Sequence, residues 1–132
     1  MQDTIGVDVS KDTLDARRLS DEAHIQVSND REGLLELITW MKGHEIAQVV
    51  YEATGRYHRT LERILGKHGF PLAKVNPKNA RRFAEAVGRL AKTDRVDALM
   101  LARMGRALDL ERHPAPPEKH LFSEIWQELG AP

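Results

Sequence analysis

Four carboxylates stand where local structure alone would not choose them. Asp8 lies inside "TIGVDV", an alternating stretch whose apolar positions are Ile5, Val7 and Val9. Aspartate is depleted in strand interiors because its side chain competes for turns and caps. Its side of the strand, shared with Gly6, carries no bulky apolar group, so it can face a cleft. Glu52 closes the apolar run Val49, Val50 and Tyr51, and the ends of strands in α/β sheets are where ligands usually bind. Asp94 and Asp97 precede Leu101, Met104 and Leu108, a stripe that a helix turns toward a core. The i, i+3 spacing places this last pair on one face of the helix, within reach of the same ions. Four carboxylates in one cleft repel unless they are neutralised or paired. A divalent cation removes that difficulty, and Mg²⁺ takes hard oxygen ligands. Two such ions about 3.5–4 Å apart activate a water or hydroxyl and stabilise the leaving oxygen in phosphodiester chemistry.

Each carboxylate also has a plainer explanation. Acidic residues in a first helical turn favour the macrodipole by about 0.3–1 kcal/mol, and Thr93 or Asp94 would serve as the cap. Asp8 would be satisfied by an Asx-type hydrogen bond or by Lys11, and Glu52 by Arg56, four residues on. His58 and His68 read as helix-surface or core-edge residues, because no second histidine stands at metal-ligand spacing nearby.

The elements that must hold these groups follow from periodicity. Residues 4–9, 12–19 and 24–28 read as three hairpin-linked strands. Asn29 or Asp30 caps a helix carrying Leu34, Leu37, Ile38 and Met41, which Gly43 ends. Residues 47–53 form a buried strand, then Tyr57, Leu61, Ile64, Leu65 and His68 keep helical spacing up to Gly69. Residues 71–77 make another short strand closed by Pro77. Ala80, Phe83, Ala84, Val87 and Leu90 mark a further helix, and the last helix runs to about Leu108. The order β-β-β-α-β-α-β-α-α predicts an α/β fold of the ribonuclease H-like class, a mixed sheet with helices on both faces. Actin-like kinases share that layout with variations.

At 132 residues the chain suits one domain with a real core. Basic and acidic residues are equal at 20 each, but residues 1–55 carry a net charge of −6 and residues 107–132 one of −3. Residues 56–73 carry +3 and residues 74–106 carry +6, which suggests a partner with phosphates. With no cysteine, a disulfide framework and a thiolate metal site are both excluded. The polar N-terminus is no signal peptide, and no run approaches about 18 apolar residues, so a soluble cytoplasmic protein without membrane contact is expected. Three prolines in residues 114–117 mark a linker, placing the main domain at 1–110 and a short apolar-patterned segment within 111–132.

Four stretches, "IGVDVSKDTLDA", "VVYEATGRYH", "KVNPKNARRFAEAVGRLAKTDRVDA" and "LMLAR", together resemble the N-terminal domain of DEDD-type transposases of IS110-type insertion sequences and the related Piv/MooV DNA invertases. The resemblance covers about residues 4–108. It implies a RuvC-like domain binding Mg²⁺ or Mn²⁺, two ions, through a tetrad whose members by motif position are Asp8, Glu52, Asp94 and Asp97. It further implies DNA recombination during insertion-sequence movement, a guide RNA in some members and a homo-oligomer of the full-length protein. Family members continue through a connector into a second domain that carries a serine nucleophile. Here "EKHLFSEIWQELGAP" does not resemble that connector, and Ser123 is not a sensible substitute for the serine, so the chain alone is expected to be an incomplete recombinase.

Lys74, Lys78, Arg81, Arg82, Arg89, Lys92 and Arg95 flank the expected cleft in sequence, and Lys11 and Arg56 stand beside two of its carboxylates. These residues are candidates for phosphate contacts, which give affinity without base readout. Few aromatics lie among them, so stacking of bases is not supported. Two other functions compete with a metal-dependent recombinase. A non-catalytic nucleic-acid-binding or dimerisation module would fit a truncated element. An actin-like phosphotransferase would need a second glycine-rich phosphate loop, which the nine glycines do not form.

Overall fold

The computed structural model describes residues 2–88 and 95–113. Within them five strands and four helices follow the expected order. They are β1 (Gln2–Val9), β2 (Thr13–Arg18), β3 (His24–Ser28), α1 (Arg31–Met41), β4 (Glu45–Glu52), α2 (Arg59–Lys67), β5 (Leu72–Val75), α3 (Pro77–Ala86) and α4 (Ala98–Ala107). The strands form one sheet in the order β3-β2-β1-β4-β5. The first three are antiparallel, whereas β1, β4 and β5 run parallel.

Alternation along β1 divides the two faces. Ile5, Val7 and Val9 point into a core with Leu14 and Ala16 of β2, Leu34, Leu37 and Met41 of α1, and Leu61 and Leu65 of α2. Across the sheet, Val50, Ala73 and Val75 pack against Ala80 and Ala84 of α3 and Met100, Leu101 and Met104 of α4. Helices therefore cover both faces, with α1 and α2 on one side and α3 and α4 on the other.

Gly6 is what lets α4 lie directly on β1. A β-carbon there would overlap the Ala98 carbonyl and stand 2.7 Å from the Ala102 nitrogen. A second close approach lies two residues before the helix end. Buried Gln48 of β4 donates to the Gly105 carbonyl at 2.7 Å, where a β-carbon on Gly105 would stand 2.6 Å from Val50 Cγ2. Small residues thus fix the helix at both ends of its contact.

Several local expectations need correction. Pro77 opens α3 instead of closing a strand, since its fixed φ and missing N–H suit the first helical position and Asn76 accepts from the Lys78 amide at 2.8 Å. Of Asn29 and Asp30, Asp30 caps α1, accepting from the Gly33 amide at 2.8 Å. Asn29 instead donates to the Ser10 and Tyr57 carbonyls. Tyr57 lies outside α2 and is exposed, and His58 is the buried residue that precedes the helix. Leu108 does not join the packed stripe. It ends α4 in extended conformation with 44% of its surface exposed, against 1% for Leu101 and 4% for Met104. The chain beyond α4 returns to the sheet at His113, which exchanges two backbone hydrogen bonds with Leu72 on the β5 edge. Leu90 and the apolar residues of 120–132 fall outside the described residues.

Candidate carboxylate site

The site is built at the ends of β1 and β4. Their parallel register pairs Gly6 with Val50 and Val7 with Tyr51. One residue further on, Asp8 and Glu52 end adjacent strands on the face that α4 covers. Both are half-buried, and their negative charges oppose one another. Burial pushes the Glu52 carboxyl above its ordinary value and the Asp8 charge adds to the rise, while Arg95 offsets part of it. Asp8 is likewise raised, first by burial and then by the charges of Asp15 and Asp97, against the lowering effect of Arg95. Two carboxylates held in partly desolvated proximity favour protonation or a cation.

Asp97 approaches Asp8 from the start of α4. It is the N-cap, extended at φ −91° and ψ 175°, and its Oδ1 accepts from the Met100 amide at 2.9 Å. The expectation that Asp94 and Asp97 share one helical face in the first turn is therefore corrected. The helix begins at Ala98, and residues 95–97 are not helical. The capping bond uses one carboxylate oxygen of Asp97, leaving Oδ2 for another partner. Asp94, Arg89 and Lys92 lie outside the described residues.

Neither simple pairing expected for Asp8 and Glu52 is formed. Asp8 binds Arg95 at 3.2 Å instead of Lys11, which is exposed in the β1–β2 turn. Arg56 rests over the Tyr57 ring, 6.0 Å from its centroid, and makes no ion pair with Glu52. Lys74 points to the other face of the sheet, where it pairs with Glu62 at 3.1 Å. Glu62 also accepts from the Tyr51 hydroxyl at 2.6 Å. Lys78 and Arg82 are exposed on α3, and Arg81 pairs with Glu85 at 3.4 Å along that helix.

A cavity of about 270 Å³ opens on the β2 side of Asp8, lined by Asp8, Asp15, Arg17, His24, Asp97 and Ala98. The antiparallel register sets Asp15 directly opposite Asp8 and Arg17 opposite Gly6. Asp15 accepts from Gln26 Nε2 at 3.0 Å, and His24 Nε2 lies 3.3 Å from the same oxygen. Sequence reading missed this trio. The signal was available in the alternation of Thr13, Asp15 and Arg17 with Leu14 and Ala16, but only the hairpin register turns it into a position beside Asp8.

The donor chemistry suits a hard divalent cation, since Asp8, Glu52 and Asp97 offer oxygen alone and stand at neighbouring strand and helix ends. Among the described residues no three histidine, aspartate or glutamate side chains converge closely enough to hold an ion by themselves. Nor is any helix among them long and apolar enough to cross a membrane.

The order and direction of the strands, with helices on both faces, define a class of fold, the ribonuclease H-like α/β domains. Two solved structures share the fold. Thermus thermophilus RuvC superposes with a TM-score of 0.58 at 13% identity, covering 84% of this chain and 99% of that one. The T. thermophilus RuvC structure in complex with Holliday junction substrate gives 0.50 at 12% identity over 85% of this chain and 99% of that one. Sequence comparison is more particular. Residues 5–126 match the transposase family of the DEDD IS110 type, and the chain belongs to that family. The match continues to residue 126, past the limit near Leu108 that the four quoted stretches suggested. The pilin gene-inverting proteins of Moraxella lacunata and Moraxella bovis are each 32% identical over 107 residues, 76% of this chain. The chain spans about a third of their length, 33%.

Proposed function

We propose that this chain is the metal-dependent catalytic domain of a DNA transposase or recombinase, acting on phosphodiester bonds. The observation that carries the reading is the placement of Asp8 and Glu52 on adjacent parallel strand ends, under the capped start of α4. Family membership supports it, because DNA inversion and transposition both require strand cleavage and rejoining. In this reading Asp8, Glu52, Asp94 and Asp97 hold Mg²⁺ or Mn²⁺, two ions. When bound, the ions supply activation of a water or hydroxyl and stabilisation of the leaving oxygen.

The chain's own residues provide position. The parallel β1–β4 register fixes Asp8 against Glu52, and the α4 contact on Gly6 fixes Asp97. Arg95 holds the Asp8 charge in the absence of an ion and is free to turn to phosphate when one binds. Lys11, Arg56, Lys78, Arg81, Arg82, Arg89 and Lys92 complete the proposed phosphate contacts. A guide RNA and a homo-oligomer of the longer protein belong to the same reading, as does completion of recombination by a serine-bearing domain beyond this chain.

Calorimetric titration with Mg²⁺ or Mn²⁺, paired with cleavage of branched and duplex DNA, tests the proposal. Asp8→Asn or Glu52→Gln should weaken ion binding at least tenfold and reduce cleavage by about a hundredfold or more. Unchanged ion affinity in both variants would remove the site assignment. Salt-dependent DNA binding without any metal-dependent scission would instead favour a non-catalytic binding module.

A further inference from the structure

The sequence carries a basic stretch, residues 56–73, of which the proposed carboxylate site draws only on Arg56. Its other cations, Arg59, Arg63 and Lys67, belong to α2, on the face of the sheet opposite α4. Arg59, Arg63 and Lys67 repeat every four residues along one side of that helix, and all three are exposed. They form no ion pair with any described residue, whereas Glu62, the one acidic residue of α2, is turned aside to Tyr51 and Lys74. Arg31, at the first turn of α1, joins them across a groove of about 430 Å³. Leu35 and Ile64 line the groove with Arg31, Arg63, Lys67 and His68, and no carboxylate is among the lining residues. Leu35 is 38% exposed. His68, the C-cap of α2, lies with Nδ1 2.9 Å from the Ile64 carbonyl.

Arg31, Arg63 and Lys67 line one groove, Arg59 stands one turn before Arg63, and none of the four forms an ion pair with a described residue. The apolar lining accommodates the alkyl stems of arginine and lysine while their heads stay in solvent. Apart from the single His68 imidazole the groove is lined by no aromatic ring, so it lacks a platform on which successive unpaired bases could stack. A row of cations spaced one helical turn apart instead matches a continuous line of phosphates. We infer that the α1–α2 groove binds the phosphate backbone of duplex DNA, at a second contact separate from the carboxylate cleft. The sheet lies between the two, so the duplex seated here is not the strand segment held at Asp8 and Glu52. Recombination joins two DNA sites, which gives a catalytic domain a use for a second duplex contact; in that respect the inference rests on the DNA reading above.

The test is the salt dependence of binding to a duplex, with the intact chain and an Arg59→Gln/Arg63→Gln/Lys67→Gln variant. All three side chains are exposed, so circular dichroism and thermal melting should match the parent. The slope of log K against log salt should fall by about 2–3, close to 0.9 for each phosphate contact removed. Metal affinity at the carboxylates, measured in parallel without DNA, should not change. An unchanged slope and affinity in a chain whose parent binds DNA would overturn the inference and leave the catalytic reading intact. A parent that neither binds nor cleaves DNA would instead defeat both. Two further outcomes also overturn it: structured RNA, but not duplex DNA, losing affinity in the variant, or the variant altering only self-association by sedimentation.

Discussion

At the residue scale the informative groups are those whose charge is inconvenient. Glu52 has no ion pair among the described residues, and both burial and the neighbouring Asp8 raise its carboxyl. The folded chain therefore retains protons that the unfolded chain releases. The metal-free protein is most stabilised by this group below the ordinary carboxylate range, and loses that contribution as pH rises through the elevated value. Glu52→Gln should consequently melt a few degrees higher than the parent at pH 7 without divalent ions, with the difference vanishing near pH 3–4. Melting curves across that interval check the sign, since a variant less stable at pH 7 would contradict it. Arg95 is a different case. Its side chain is 76% exposed, so its bridge to Asp8 contributes little to stability, and Arg95→Gln should change unfolding free energy by less than about 1 kcal/mol. Asp8 and Glu52 were legible in the sequence because carboxylates rarely sit within or at the end of apolar strands. Asp15 was not, since an aspartate alternating with Leu14 and Ala16 looks like any solvent-facing strand residue until a register is known.

At the element scale the fold turns on α4 meeting β1. Hydropathy could predict that a helix with Leu101 and Met104 packs on the sheet. It misplaced the helix start, taking Thr93 or Asp94 as the cap where Asp97 serves, because a capping residue and an acidic first-turn residue look alike in sequence. The Asp97–Met100 hydrogen bond decides it, and the close approach at Gly6 decides where the helix sits. Gly6→Ala should cost about 1–3 kcal/mol or more, because its clash is with backbone that cannot rotate away. Denaturant unfolding measures that loss. The same variant should also show a smaller melting shift on adding Mg²⁺ or Mn²⁺, since α4 carries Asp97 away from Asp8.

Seen as a whole, the molecule has two cores on one sheet and puts the proposed chemistry beside only one of them. Leu61 is fully buried in the α1–α2 core. Leu61→Ala should lower stability by about 2–5 kcal/mol, yet leave the melting shift produced by a divalent ion close to that of the parent. A matching loss of ion response in Gly6→Ala and Leu61→Ala would mean that the ion reports general stability and not the α4 contact. The order of elements and the two-sided covering by helices were readable from periodicity, because the apolar spacing switches cleanly between strand and helix even where the exact ends do not show. How the two faces divide function was not, because it depends on which side of β1 each crossover places its helix. One consequence of the Asp97 cap extends beyond both cores. The oxygen that holds the first turn of α4 belongs to a side chain that an ion would also recruit, so ion occupancy and fraying of that turn draw on the same carboxylate. Amide hydrogen exchange at Met100 should then register cation binding, even though that nitrogen never touches the ion.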